Sequence, residues 1–127
     1  MSLLVVDTDI FIDHLRGFKP AANIFADIEN GKISAVISSV TLAELFSGRN
    51  CESKEGLDAV ENIIRLALVE VVSDDIAKKS GALRRKYGIG LLDAIIAATA
   101  IKRSAALLTR NVKDFSKVSE IKVKIPY

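Results

Sequence analysis

Apolar, β-branched runs alternate with amphipathic segments along this 127-residue chain, and the alternation predicts an α/β fold. The expected architecture is a three-layer α/β/α sandwich around a central, mostly parallel sheet of four to five strands. Two further observations support it. The runs are too continuously apolar to have a wet face, as strands of a parallel sheet covered on both sides must be. Polar and acidic residues follow several strand ends, and in such sheets ligands bind outside the carboxyl ends of the strands, where the crossover direction reverses.

Leu3 to Val6 reads as a buried strand, and the Asp-Thr-Asp after it as helix-start chemistry. The first helix is expected from about Ile10 to Arg16, with Gly17 as its stop. After Pro20, the stretch AANIFADIENG places Ile24, Phe25 and Ile28 on one face and ends at Gly31, so it is the second helix. Ile33 to Ile37 reads as the second strand and SSVTLAELFSG as the helix that follows. The segment from Gly48 to Glu55 is the one extended polar break. Asp58 to Leu66 carries a helical period through Val60, Ile63, Ile64 and Leu66, and Leu68 to Val72 reads as the third strand. Asp75 to Tyr87 is helical with a basic C-terminal half, Gly88 and Gly90 interrupt it, and Leu91 to Arg103 is a strongly apolar helix. Ala105 to Thr109 is the fourth strand, with a short fifth at Lys122 to Ile125. Asp7, the Ser38 to Glu44 segment and the Thr109 to Asp114 segment each follow a strand, so they are expected to converge on one sheet edge.

Size and composition narrow the function. Half of the residues are apolar, enough for one buried core, and residues 1–127 are expected to form a single domain. The longest apolar stretch, Ile89 to Ile101, is broken by Asp93 and is too short to cross a bilayer. The opening MSLLVVDTD has no basic leader, so a soluble, cytoplasmic protein is expected, with no membrane partner. One cysteine and one histidine give no zinc ligand set, so any metal is held by oxygen. Eighteen basic against sixteen acidic residues leave a net charge of +2, too balanced to announce nucleic acid by itself.

The acidic positions carry the chemistry. A carboxylate among core residues costs several kcal/mol unless its charge is compensated, and a shared divalent metal is the simplest compensation. Asp7 and Asp9 flank Thr8 at a strand-to-helix turn, where one acid is needed as an N-cap. Asp7, ending the buried strand, is the better ligand candidate and Asp9 the better cap. Thr41-Leu-Ala-Glu44 fits a capping box in which Glu44 reaches back to the helix start. Alternatively Ser38 or Ser39 caps that helix and Glu44 points at the sheet edge. Asp93 is the one charge in IGLLDAIIAATAI, and a first-turn dipole contribution of about 0.3–1 kcal/mol does not offset an unpaired buried charge. Its neighbours Ala94, Ala97 and Ala98 predict close helix packing. Asn111 and Asp114 lie in LLTRNVKDF, which also reads as a polar turn into a short helix. Asp13, Asp27, Glu61 and Glu120 read as solvated surface, His14 as structural or surface, and Cys51 has no paired histidine motif.

Four segments, VVDTDIFID (5–13), SVTLAELFSG (39–48), GIGLLDAIIAATA (88–100) and LLTRNVKDF (107–115), resemble the PIN-domain ribonucleases, in particular the VapC-type toxins of prokaryotic toxin–antitoxin pairs. In register, they span the chain. The resemblance implies a PIN-like sandwich whose acids bind Mg²⁺ or Mn²⁺ and hydrolyse RNA phosphodiester bonds. It makes Asp7, Glu44 and Asp93 the acidic triad and metal ligands, Glu44 serving as ligand or water-orienting base. The family often has a fourth acid where this chain has Asn111, and Asp114 is the carboxylate available to replace it. Thr8 and Thr109 are candidates to hydrogen-bond the ligands or the phosphate. Arg84, Arg85, Lys86, Arg110 and Lys113 are candidate RNA phosphate contacts, with a solvated helix face as the alternative. A homodimer and a cognate antitoxin are further implications. Three rivals are a PIN scaffold that binds without cutting, a PIN-type nuclease acting on structured DNA, for whose usual insertions this compact chain has little room, and a phosphoacceptor receiver domain using Ser73-Asp74-Asp75 after the third strand.

Overall fold

Four short runs of apolar residues, paired side by side, set the frame of the molecule. In the computed structural model, which describes residues 2–127, β1 (Ser2–Val6) lies between β2 (Ile33–Ser38) and β4 (Ala106–Leu108). β3 (Ala67–Glu70) extends the sheet beyond β2, and the two-residue β5 (Val123–Lys124) extends it beyond β4. All four pairings are parallel and the strand order is β3-β2-β1-β4-β5. The expected sandwich is therefore present, with a fully parallel sheet.

Side chains alternate across each strand, so each strand feeds two cores. Val5, Val36 and Leu107 pack on one face against α5 (Asp74–Tyr87), α6 (Leu91–Arg103) and α7 (Val112–Phe115), through residues such as Ile76, Leu83, Ile96 and Phe115. Leu4, Val6, Ala35, Ile37 and Leu108 pack on the other against α1 (Thr8–Leu15), α2 (Lys19–Glu29) and α4 (Lys54–Ile64), through Ile10, Phe11, Phe25, Val60 and Ile63. The short α3 (Ser39–Phe46) sits at the boundary, Val40 touching the first core and Leu42 and Leu45 the second. Ala94, Ala97 and Ala98 are completely buried, as their size predicts.

Three expectations need correction. The break at 48–55 is not extended: residues Arg49–Glu52 form a 3-10 turn and α4 begins at Lys54, four residues before the expected start. Gly56 permits this, because a Cβ there would fall 1.8 Å from the Asn50 carbonyl oxygen. β3 is not covered on both sides as expected: Leu68 and Val69, which point to opposite faces, are both exposed on this edge strand. The first helix starts at Thr8, two residues early, for a reason that belongs to the site. Gly88, at φ +68°, ends α5 in the left-handed conformation that separates it from α6. Among the described residues no helix is long and apolar enough to cross a membrane.

Candidate functional site

The strand order reverses direction between β1 and β4, and the residues immediately after those two strands meet there. The Asp7 N–H donates to the Leu108 carbonyl at 3.0 Å, which brings Asp7 beside Thr109. The Asp7 carboxylate then accepts from both: Oδ1 from the Thr8 N–H at 2.8 Å and Oδ2 from the Thr109 hydroxyl at 2.7 Å. Asp7 is thus the N-cap of α1 and only 7% exposed. This corrects the assignment of Asp9 as cap. Capping and ligation are not alternatives at Asp7, since a carboxylate has lone pairs for both.

Glu44 reaches the same place from α3. The N-cap of that helix is Ser38, whose Oγ accepts from the Val40 N–H at 3.2 Å, so the Thr41–Glu44 capping box is not formed. Thr41, fully buried, instead lies 2.9 Å from the Thr8 hydroxyl, which in turn donates to Glu44 Oε1 at 2.7 Å. A hydroxyl has one proton, and Thr8 gives its proton to the carboxylate; Thr41 is therefore the donor to Thr8. The relay Thr41–Thr8–Glu44 ties α3 to the first turn of α1.

Asp93 enters from the first turn of α6, whose N-cap Gly90 offers no side chain. With Asp7, Thr8, Asp9, Glu44, Leu92 and Asn111 it lines a cleft of about 350 Å³. Like charges in this cleft are costly. Burial pushes the Asp7 carboxyl up to about 6, and the charges of Asp9 and Asp93 add to that against the opposing hydrogen bonds from Thr109 and Thr8. Asp93 is also raised, first by desolvation and then by Asp114, Glu44 and Asp9. Asp114 stands outside the cleft lining, with its side chain 46% exposed and 3.9 Å from Lys117, yet close enough to act on Asp93.

The donor set fits a hard divalent cation. Every ligating atom offered is oxygen, the acids repel one another, and Asp9 Oδ1 is buried without a hydrogen-bond partner. Among the described residues no three acidic, imidazole or thiol side chains already converge as a cation cage. Such a cage is not required, because Mg²⁺ commonly keeps several waters and is bound through one or two carboxylates.

Two acids were misread in the sequence. Asp9 belongs to the cleft, its Oδ2 accepting from the Arg110 N–H at 3.0 Å. Asp13 is not solvated surface: its side chain is 15% exposed, pairs with Arg110 Nε at 2.7 Å and accepts from the Tyr127 hydroxyl. Arg110, expected at RNA phosphates, therefore spends its guanidinium on Asp13. Glu120 is at the surface as expected, where it pairs with Lys79 at 2.8 Å and accepts from the Tyr87 hydroxyl. Arg84, Arg85, Lys86 and Lys113 are exposed, and none lines the cleft. His14 packs its ring 4.9 Å from Phe25, as a structural histidine does. The receiver arrangement is absent: β3 is an edge strand, and Asp74 and Asp75 lie in the first turn of α5 behind the Ser73 cap, away from the cleft.

The family model described as PIN domain matches residues 4–121. This chain belongs to the PIN-domain family. Its relatives agree. The PIN domain described here is 39% identical over 116 residues to "Ribonuclease VapC19" of Mycobacterium tuberculosis, covering 87% of this chain and 90% of the relative. It is 33% identical over 127 residues to "Ribonuclease VapC10" of the same organism, covering 94% and 91%. Among solved structures, a toxin–antitoxin complex from Klebsiella pneumoniae superposes with a TM-score of 0.80 at 32% identity, over 100% of this chain and 98% of that one. DNA-bound VapBC from Salmonella typhimurium superposes with a TM-score of 0.83 at 25% identity over the whole of both chains.

Proposed function

We propose that this PIN domain is a Mg²⁺- or Mn²⁺-dependent endoribonuclease and the toxin of a VapBC-type toxin–antitoxin pair. One observation carries the reading: acids from three distant segments, Asp7, Glu44 and Asp93, border a single cleft where the strand order reverses, and their charges oppose one another. The names of the relatives supply the substrate class, RNA, and the solved complexes supply an antitoxin as partner. A homodimer and a cytoplasmic location are part of the same proposal.

Asp7, Glu44 and Asp93 hold the cation in this reading, with Asp114 as an outer carboxylate beside Asp93. When bound, the cation supplies Lewis-acid polarisation of the scissile phosphate and a more acidic water. The protein's own contribution is orientation. Thr8 and Thr109 fix the Asp7 carboxylate by two hydrogen bonds, so its ligating direction is set before substrate arrives. The Thr8 hydroxyl donates to Glu44 Oε1 and so fixes that carboxylate, as ligand or as the group that orients the attacking water. Exposed Arg84, Arg85, Lys86 and Lys113 supply phosphate contacts outside the cleft, where they position RNA without reading its sequence.

The test is incubation of purified protein with labelled total RNA in Mg²⁺, in Mn²⁺ and in EDTA, beside an Asp93→Asn variant. Cleavage is expected with either ion, is lost in EDTA, and falls by about 100-fold or more in the variant. Equal inactivity of wild type and variant on total and structured RNAs, with metal still bound by the wild type, overturns the nuclease reading in favour of a binding scaffold.

A further inference from the structure

Among the described residues Asp9 stands out, because its carboxylate is only half explained by the fold. Oδ2 has a structural task, accepting from the Arg110 N–H at 3.0 Å and so fastening the segment after β4 to α1. Oδ1 is buried and meets no hydrogen-bond donor. A buried oxygen without a partner is costly to a fold, more so when charged. The cap of α1 is already Asp7, so Asp9 is not needed there. An asparagine would satisfy the Arg110 N–H equally well and would bring no charge into the cleft. The chain nevertheless places a carboxylate on that lining, where its charge acts on both Asp7 and Asp93.

Asn111, across the same cleft, makes the charge meaningful. Its N–H is given to Thr109 Oγ1 at 3.0 Å, and its side chain brings no charge to the lining. The neighbouring Arg110 N–H is the group that holds Asp9. The segment whose cleft-lining residue, Asn111, is uncharged thus fixes an acid from α1 beside it. Resting on the cation reading given above, we infer that Asp9 is a further carboxylate of the cation site and that it supplies at this edge the charge Asn111 lacks. Arg110 is then a positioning residue: its backbone N–H orients Asp9, and its guanidinium, held by Asp13, keeps that backbone in place.

Isothermal titration of the metal-free protein with Mn²⁺ tests this without reference to RNA cleavage. Wild type, Asp9→Asn and Asp93→Asn are compared, each first melted in EDTA to establish that it is folded. Asp9→Asn keeps the acceptor for the Arg110 N–H, so its melting temperature in EDTA is expected to equal or exceed that of wild type. Its Mn²⁺ affinity is expected to fall about tenfold or more. Should Asp9→Asn bind Mn²⁺ as wild type does while Asp93→Asn is impaired, Asp9 is a structural residue and this inference is wrong, with the cation reading intact. No Mn²⁺ binding by wild type overturns the cation reading itself. A large loss of melting temperature in Asp9→Asn with unchanged affinity assigns the residue to the fold alone.

Discussion

At Asp7 burial and hydrogen bonding pull in opposite directions, and burial wins. Two donors favour the charged form, yet desolvation lifts the carboxyl from 3.8 to about 6. The folded, metal-free protein therefore binds this proton more tightly than the unfolded chain does. Stability on this account is highest below the unfolded value and falls as pH rises through the window from about 4 to about 6, by about 3 kcal/mol in all. Asp7→Asn keeps an acceptor for the Thr8 N–H and still caps α1. Denaturant titration in EDTA should find it more stable than wild type by about 1–3 kcal/mol at pH 7.5, with the difference gone below about pH 4. The same variant should cleave no RNA. That Asp7, Glu44 and Asp93 share one place was legible because each is an acid in an apolar run, and the structure puts all three on one cleft lining. Asp9 and Asp13 were not legible, since their partners come from residues 110 and 127, about a hundred positions away along the chain.

Elements meet at the cleft through hydroxyls rather than through charges. The relay from Thr41 through Thr8 to Glu44 joins α1 to α3, and all three side chains lie at least partly inside the fold. Thr8→Val removes the donor to Glu44 and strands the Thr41 hydroxyl, so it should cost about 1–3 kcal/mol in denaturant unfolding and about tenfold in cleavage rate. Thr8→Ser retains the hydroxyl and should restore most of the rate, which separates the relay from simple packing. Ser38→Ala deletes the α3 cap and should cost about 1 kcal/mol, with a smaller loss of cleavage, because Glu44 lies more than one turn beyond the cap. The helix of α6 was readable to its ends, Leu91 and Arg103, because glycine precedes it and its apolar content is continuous. α4 was not, because its first turn is polar and its early start depends on the close approach of Gly56 to Asn50.

Across the whole molecule the proposed function couples folding to cation binding at the cleft. An ion that binds the native state alone stabilises it by about 2.7 kcal/mol when present at a hundredfold excess over its dissociation constant. Mg²⁺ should therefore raise the melting temperature of wild type, and EDTA should reverse the rise. Protons compete for the same oxygens, and Asp7, Asp9 and Asp93 all have raised proton affinities, so the rise should be larger at pH 8 than at pH 5.5. Asp93→Asn should show a smaller rise at both. The sequence by itself determined the α/β class, the parallel arrangement and three of the acids, because period, apolar continuity and an isolated charge are local properties of the chain. Only the tertiary structure decided that Asp7 caps its helix while facing the cleft, that Glu44 is held by Thr8, and that Arg110 answers Asp9 and Asp13. The contacts of Asp7 with Thr109 and of Arg110 with Asp9 and Asp13 depend on the parallel register of β1 with β4, which brings residue 7 beside residue 109, and Glu44 reaches Thr8 because β2 pairs with β1 on the other side. No local pattern carries a contact between residues so far apart, so the last carboxylate of the cleft became visible only once the strands were paired.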